Sequence, residues 1–278
     1  MSYLQNNRIE KKFSQLKSMK QKGLICYIMG GYPNSAGCEK IISSIVDGGA
    51  DIIEIGIPFS DPIADGPVIQ EASYRALQNG ITPDKCLKLI KRTRKKYPEL
   101  PIVIMTYSNI LQKNGFRKFM EMAKDAGTDG FVLPDMTIEE SKEYLEYSKK
   151  LELASIFLVA PNTSNLRIRK TLDVSTGFVY VVSVYGTTGM RNSFNEYTLT
   201  AIKNIKKLSS NKKNISVGFG ISTPHHIKLM SNYGADAVIV GSAIINMINS
   251  NKVSNIIHLQ NKLKNYVKSL KSACTNRQ

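Results

Sequence analysis

A (β/α)8 TIM barrel is the fold this sequence predicts, and three observations carry that prediction. Short β-branched runs alternate with longer stretches of helical spacing from one end of the 278-residue chain to the other. Eight such runs can be drawn, which is the strand number of a closed parallel barrel of about this length. The runs are apolar almost throughout rather than on alternate positions, the pattern of parallel strands covered on both faces. An open doubly wound sheet is the alternative, but the glycine-rich turn G-x-G-x-x-G that such a sheet places after its first strand is missing.

Each element has its own warrant. Ile9, Phe13 and Leu16 fall at i, i+4 and i+7, so residues 1–22 are expected to hold a short amphipathic helix, in preference to an organelle-targeting peptide. The first strand is "LICYIM" (24–29), followed by helical spacing at Ile41, Ile42, Ile45 and Val46 before Gly48-Gly49. The second is "DIIEIGI" (51–57), after which Pro67 can open a helix at its first position. "IVIMTY" (102–107) precedes the pattern Phe116, Phe119, Met120 and Ala123, which stops at Gly127. "GFVLP" (130–134), "ASIFLV" (154–159), "FVYVVS" (178–183), "ISVGFG" (215–220) and "AVIVG" (237–241) complete the set. No low-complexity linker divides the chain, so a single barrel domain over 1–278 is expected, with 272–278 a frayed tail.

Composition narrows the class. Cys26, Cys38, Cys86 and Cys274 are few and irregularly spaced, which argues against a disulfide framework or a zinc site and for a reducing compartment. With no long apolar stretch and no cleavable leader, the expected location is the cytoplasm, or the stroma were the chain plastid-encoded. The net charge of +16 and the run "KRTRKK" (91–96) invite a nucleic-acid reading. Against it, the lysines are spread over nearly every helical segment, and no aromatics alternate with them to stack on bases.

The site of such a barrel forms where strands end at their C-terminal side. Along "DIIEIGI", alternation sets Ile52, Glu54 and Gly56 on one face and three isoleucines on the other, so Glu54 is expected to point into the barrel. A carboxylate there is costly unless paired, and burial raises its pKa toward values suited to proton transfer. No lysine or arginine lies in any of the eight runs to pair with it. The loop "PFSDPIADGP" follows, where Asp61 before proline and Asp65 before glycine are each ordinary turn residues. Beside an inward glutamate, a second carboxylate makes an acid–base pair.

Absences sharpen this reading. A Schiff-base barrel needs a strand lysine, and there is none. His225, His226 and His258 are the only histidines, and the first two begin a helix after Thr223-Pro224 as capping or surface residues, so no metal set is expected. Late in the chain "YGTTG" (185–189), "GFGIS" (218–222) and "VGSAI" (240–244) place glycines, and Ser242 at a helix start, where barrels bind phosphate.

Six segments in order, "MGGYP", "IPFSDPIADGP", "MTYSN", "YVVSVYGTTG", "VGFGIS" and "VGSAI", resemble the strand-end segments of the tryptophan synthase α subunit family over almost the whole chain. The resemblance implies retro-aldol cleavage of indole-3-glycerol phosphate to indole and glyceraldehyde 3-phosphate, a lyase reaction of tryptophan biosynthesis. By the same resemblance Glu54 and Asp65 are the catalytic pair, and Gly189, Gly220, Gly241 and Ser242 hold the phosphate. Tyr180 would hydrogen-bond near Glu54, while Tyr27, Ile69, Met105, Leu133 and Phe219 wall the indole pocket. Thr188 matches a threonine that orders the loop over the closed site, and Asp61 a residue that couples its loop to the partner.

That partner, by the resemblance, is a pyridoxal-phosphate β subunit in an α2β2 tetramer, with no cofactor on this chain. Two departures stand out: Tyr185 is bulkier than the residue usual before the loop glycine, and Tyr27 stands where some relatives carry phenylalanine. A stand-alone indole-releasing lyase shares the same site, and activity without a β subunit separates the two. A basic scaffold on a barrel is the non-enzymatic alternative, distinguished by salt-dependent binding to DNA.

Overall fold

In the computed structural model, described for residue 4 and residues 6–183, 196–251 and 255–275, strands and helices alternate as the spacing predicts. The first half runs α1 (Arg8–Ser18), β1 (Gly23–Met29), α2 (Ser35–Asp47), β2 (Ile52–Gly56), α3 (Pro67–Gln78), α4 (Pro83–Lys96), β3 (Ile102–Met105), α5 (Ser108–Asn114), α6 (Phe116–Ala126) and β4 (Gly130–Val132). The second half runs α7 (Lys142–Lys150), β5 (Ala154–Ile156), β6 (Leu158–Val159), α8 (Asn165–Val174), β7 (Val179–Val182), α9 (Glu196–Leu208), β8 (Ile215–Gly218), α10 (Pro224–Asn232), β9 (Ala237–Val240), α11 (Ser242–Asn249) and α12 (Ile256–Ala273).

All strand pairs are parallel, in the order β5-β4-β3-β2-β1-β9-β8-β7-β6. The two outermost strands are one predicted run, "ASIFLV", interrupted only at Phe157. Its first half pairs with β4 and its second with β7, and the Phe157 carbonyl accepts from Tyr180 N at 3.0 Å. The break lets one strand serve both neighbours as the cylinder closes. Eight predicted runs therefore form the barrel as nine strand segments.

The bottom of the barrel, at the strands' N-terminal ends, is closed by α1. Phe13 meets Phe178 with ring centroids 6.0 Å apart. Asn7 caps the helix by accepting from Ile9 N, and its amide group donates to the carbonyls of Asp129 and Glu152. Around the same rim, three aspartates repeat one arrangement. The carboxylates of Asp51, Asp129 and Asp236 accept from the backbone N–H of Leu24, Ile102 and Ile215 at 2.8, 2.8 and 2.9 Å. Each also meets a cation from a helix: Lys271, Arg94 and Lys206, at 2.5, 2.6 and 2.6 Å. Arg8 adds a second cation to Asp129 at 2.9 Å.

The run "KRTRKK" closes α4, and three of its cations turn to intramolecular bonds: Arg92 to Glu39, Arg94 to Asp129, and Lys96 to Ser43 Oγ. All four cysteines are buried and free. The tail differs from expectation, because order extends past residue 272. Ala273 and Cys274 are buried, Lys22 N donates to the Cys274 carbonyl, and Thr275 bridges Gln21. Burial of that last turn against the start of β1 holds it. Among the described residues, no helix is long and apolar enough to cross a membrane.

Candidate active site

Register places Glu54 of β2 between Tyr27 of β1 and Val103 of β3. Residues in register on parallel strands point to the same side, so Glu54 shares the barrel interior with Tyr27. The side chain is 0% exposed, and neither carboxylate oxygen has a hydrogen-bond partner among the described residues. Burial first, and then the charge of Asp65, push its pKa up to about 8. At neutral pH Glu54 therefore carries its proton.

Asp65 lies on the loop between β2 and α3, half-buried at the mouth. Burial pushes its carboxyl up to about 6, and a hydrogen bond from Tyr107 acts in the opposite direction. Tyr107 also accepts from Ala64 N at 3.1 Å and stacks on Phe59, with centroids 5.1 Å apart. One phenol thus ties the Asp65 loop to the end of β3. Sequence reasoning missed this role, although Tyr107 sits inside the "MTYSN" segment.

Above these groups opens a cavity of ≈ 250 Å³. Of the sequence-predicted site residues, Asp65, Tyr27, Ile69, Met105 and Tyr180 line one part of it. Phe219, Gly220, Gly241 and Ser242 line another, at the ends of β8 and β9. Glu54 has no surface on the cavity in this state and lies sealed within the barrel. Leu133 does not line it either. Val132 is in register with the cavity residue Met105, and alternation turns the next residue away. The inward position of that segment is therefore Val132, not Leu133. Thr188, Gly189 and Tyr185 lie outside the described residues.

Two glycines are dictated by close approach. A Cβ on Gly56 would lie 2.2 Å from the Tyr27 hydroxyl oxygen, and one on Gly218 would lie 2.4 Å from that of Tyr180. Any larger residue would displace the tyrosines from the floor of the cavity.

At the far wall, Phe219 adopts φ +70° and Gly220 φ +73°. A phenylalanine in the left-handed region is strained, and such strain collects at ligand sites. Ser183 pins the turn by donating to the carbonyls of Gly218 and Phe219, a second supporting residue missed in the sequence. Gly241 precedes α11 and its carbonyl accepts from Ile244 N and Ile245 N, which leaves the N–H groups of Ser242 and Ala243 at the helix start to face an anion. Thr223 caps α10 by accepting from His226 N, and the His226 ring, buried rather than on the surface, accepts from Ser222 N at 3.3 Å and hydrogen-bonds to the Gly220 backbone behind the cavity wall.

A family model described as tryptophan synthase alpha chain matches residues 13–275. The chain belongs to the tryptophan synthase alpha chain family. The alpha chain of Methanocaldococcus jannaschii is 44% identical over 241 residues, covering 87% of this chain and 84% of that one. That of Francisella tularensis is 36% identical over 270 residues, covering 97% and 99%. Among solved structures, tryptophan synthase subunit alpha from Legionella pneumophila superposes with a TM-score of 0.85 at 34% identity, covering 97% of this chain and 99% of that one. A chain of Mycobacterium tuberculosis tryptophan synthase in its aminoacrylate-bound form gives 0.84 at 27% identity, covering 96% and 99%. The alpha-chain resemblance read from six short segments thus extends over the whole barrel.

Asp61 sits outside the cavity, exposed, with its carboxylate accepting from Ser60 Oγ at 2.5 Å. Beside it, Ile63 is 82% and Tyr74 60% exposed, large apolar side chains left open to solvent on one flank of the mouth.

Proposed function

We infer that this chain is the alpha subunit of a tryptophan synthase and cleaves indole-3-glycerol phosphate to indole and glyceraldehyde 3-phosphate, passing indole to a β subunit. The observation that carries the assignment of roles is Glu54: a wholly buried carboxyl, without a cation or hydrogen-bond partner among the described residues, directly under a cavity walled by apolar side chains. Protonated at neutral pH, it enters the reaction as the acid. It must first rotate toward the cavity, after which it delivers its proton to C3 of the indole. Positive charge then spreads to the ring nitrogen, where Asp65 accepts the N–H and stabilises the transient cation. The C–C bond breaks as the glycerol hydroxyl loses its proton to the carboxylate that Glu54 has become.

The phosphate fits the amides at Gly220, Gly241 and Ser242, and Thr188 and Gly189 are proposed to complete that end of the site. Tyr27, Ile69, Met105 and Phe219 serve as the indole wall, with Tyr180 beside Glu54. The exposed Ile63 and Tyr74 next to Asp61 support a β-subunit contact on that flank. Indole crosses membranes freely, which favours direct transfer between subunits. Nothing in this route calls on a cofactor of the chain's own, pyridoxal phosphate being assigned to the β subunit, and the cytoplasm is the proposed location.

The test is incubation with indole-3-glycerol phosphate, with and without a β subunit, while indole release is followed. The wild-type chain is expected to release indole, faster with the partner. Asp65→Asn should slow release about a hundredfold or more. An unaltered rate in that variant would return Asp65 to the role of a turn residue.

A further inference from the structure

The far wall of the cavity is the turn over 218–222 that joins β8 to α10, and Phe219, Gly220 and Ile221 face the cavity from it. Phe219 and Gly220 both sit at positive φ. A backbone in that geometry keeps its shape only while its surroundings over-determine it, and this one is held from behind at several points. Ser183 donates to the carbonyls of Gly218 and Phe219. Tyr266 of α12 donates to the Ser222 carbonyl at 2.8 Å. The ring of His226, in the first turn of α10, takes the places between: Nδ1 accepts from Ser222 N at 3.3 Å, and the ring hydrogen-bonds to the Gly220 backbone. The histidine is itself anchored, since its own N–H donates to Thr223 Oγ1 at 3.2 Å. One buried imidazole thus spans Ile221, bonded to the residue on either side of it, and does not line the cavity.

We propose that His226 is a positioning residue for the substrate phosphate: by clamping Gly220 and Ser222 from behind, it holds the Gly220 amide ready for the phosphate and so sets how tightly that end of the substrate binds, with no part in breaking the C–C bond. The Gly220 N–H has no acceptor among the described residues, so it is available to a ligand. A neutral imidazole offers one acceptor nitrogen and one donor, the two functions this clamp uses. Burial first, and then His225, lower the His226 pKa below its ordinary 6.5, so the ring is neutral at neutral pH and keeps both. The inference rests on the cleavage reading above for the identity of the ligand, and adds a residue to its phosphate end.

His226→Leu fills the space and removes both bonds, whereas His226→Gln keeps a donor and an acceptor on one side chain. Assayed as the complex with a β subunit on indole-3-glycerol phosphate, His226→Leu is expected to raise KM about tenfold with kcat within about twofold, the pattern of binding lost equally from ground state and transition state. His226→Gln should bring KM back to within about threefold of wild type. A second readout needs no turnover: in titrations of the chain alone with inorganic phosphate, followed by phosphorus-31 NMR, the Kd of His226→Leu should rise about tenfold and that of His226→Gln much less. Near-ultraviolet circular dichroism checks the fold, and His226→Met replaces the leucine variant should that one not fold. An unaltered KM and phosphate affinity in the folded variant, a fall in kcat at constant KM, or a glutamine variant as weak as the leucine one would overturn the proposal, as would a wild-type chain that binds no phosphate. A wild-type complex that releases no indole while its alpha chain binds phosphate would refute the cleavage reading, and the phosphate affinities of the variants would still decide the clamp.

Discussion

The two ends of the barrel use the same chemical group in opposite ways. At the bottom rim, Asp51, Asp129 and Asp236 each accept a strand N–H and each faces a helix cation. At the top, among the described residues, Glu54 has neither, and Asp65 has a phenol and no cation. Charges fully satisfied at the bottom stabilise the fold. Burial raises Asp129 too, but there Arg94 and Arg8 act against it, whereas the top carboxyls, with no cation among the described residues, are pushed up to about 8 and about 6, a range suited to proton exchange. The difference shows a division of labour along the barrel axis, with stability built at one face and reactivity held at the other.

The sharpest way to break this comparison is to neutralise one member of each set. Glu54→Gln should lower indole release about a thousandfold while the fold persists, because the amide keeps the shape and lacks the proton. Asp129→Ala should do the reverse. It leaves the buried Ile102 N–H without its acceptor and takes the carboxylate from Arg94, which keeps only backbone carbonyls at Tyr97, Pro98, Leu100 and Gly127, so it should cost about 3 kcal/mol in chemical denaturation, with kcat of the folded enzyme unchanged. A large loss of kcat in Asp129→Ala, or full activity in Glu54→Gln, would erase the distinction between the two faces.

A subtler consequence appears in stability against pH. Glu54 titrates at about 8 in the folded chain against 4.5 for the free group. Between those values the folded state holds a proton that the unfolded state has released. The resulting contribution is fully present below pH 4.5 and is lost as pH rises toward 8, by up to about 1.4 kcal/mol per unit. Glu54→Gln should remove this slope and be relatively more stable than wild type at pH 8, as read by urea unfolding. Parallel curves for the two proteins would place the Glu54 carboxyl in a solvated or paired setting. The smallest effect belongs to the phosphate end: Ser242→Asp should raise KM by about tenfold, since a second negative charge beside the phosphate costs about 1 to 2 kcal/mol. An unaltered KM would move the phosphate away from α11.

Most of the barrel was legible in the sequence because the interior imposes its period on every strand. Glu54 could be read from a single strand, since alternation left it on the face opposite three isoleucines. The cavity residues of the late glycine segments were legible for a related reason: glycine and a helix start are local signals. What depends on register between strands was harder. The segment "GFVLP" alone does not distinguish Leu133 from Val132 as the inward residue, and only pairing with Met105 selects Val132. Tyr107 and Ser183 act through partners 43 and 36 residues distant, and no local pattern announces such pairings. The clamps at the bottom rim were missed for the same reason, as each joins a strand start to a helix far away in the chain, up to 220 residues in the case of Asp51 and Lys271.

The most direct test of the central claim is to follow the titration of the Glu54 carboxyl itself, by carbon-13 NMR of glutamate-labelled chain with Glu54→Gln identifying the resonance. The account predicts a midpoint near 8 in the free chain. A midpoint at or below the ordinary carboxylate value of 4.5 would mean that the group is ionised and stabilised in place, and would contradict its role as the acid that begins the reaction.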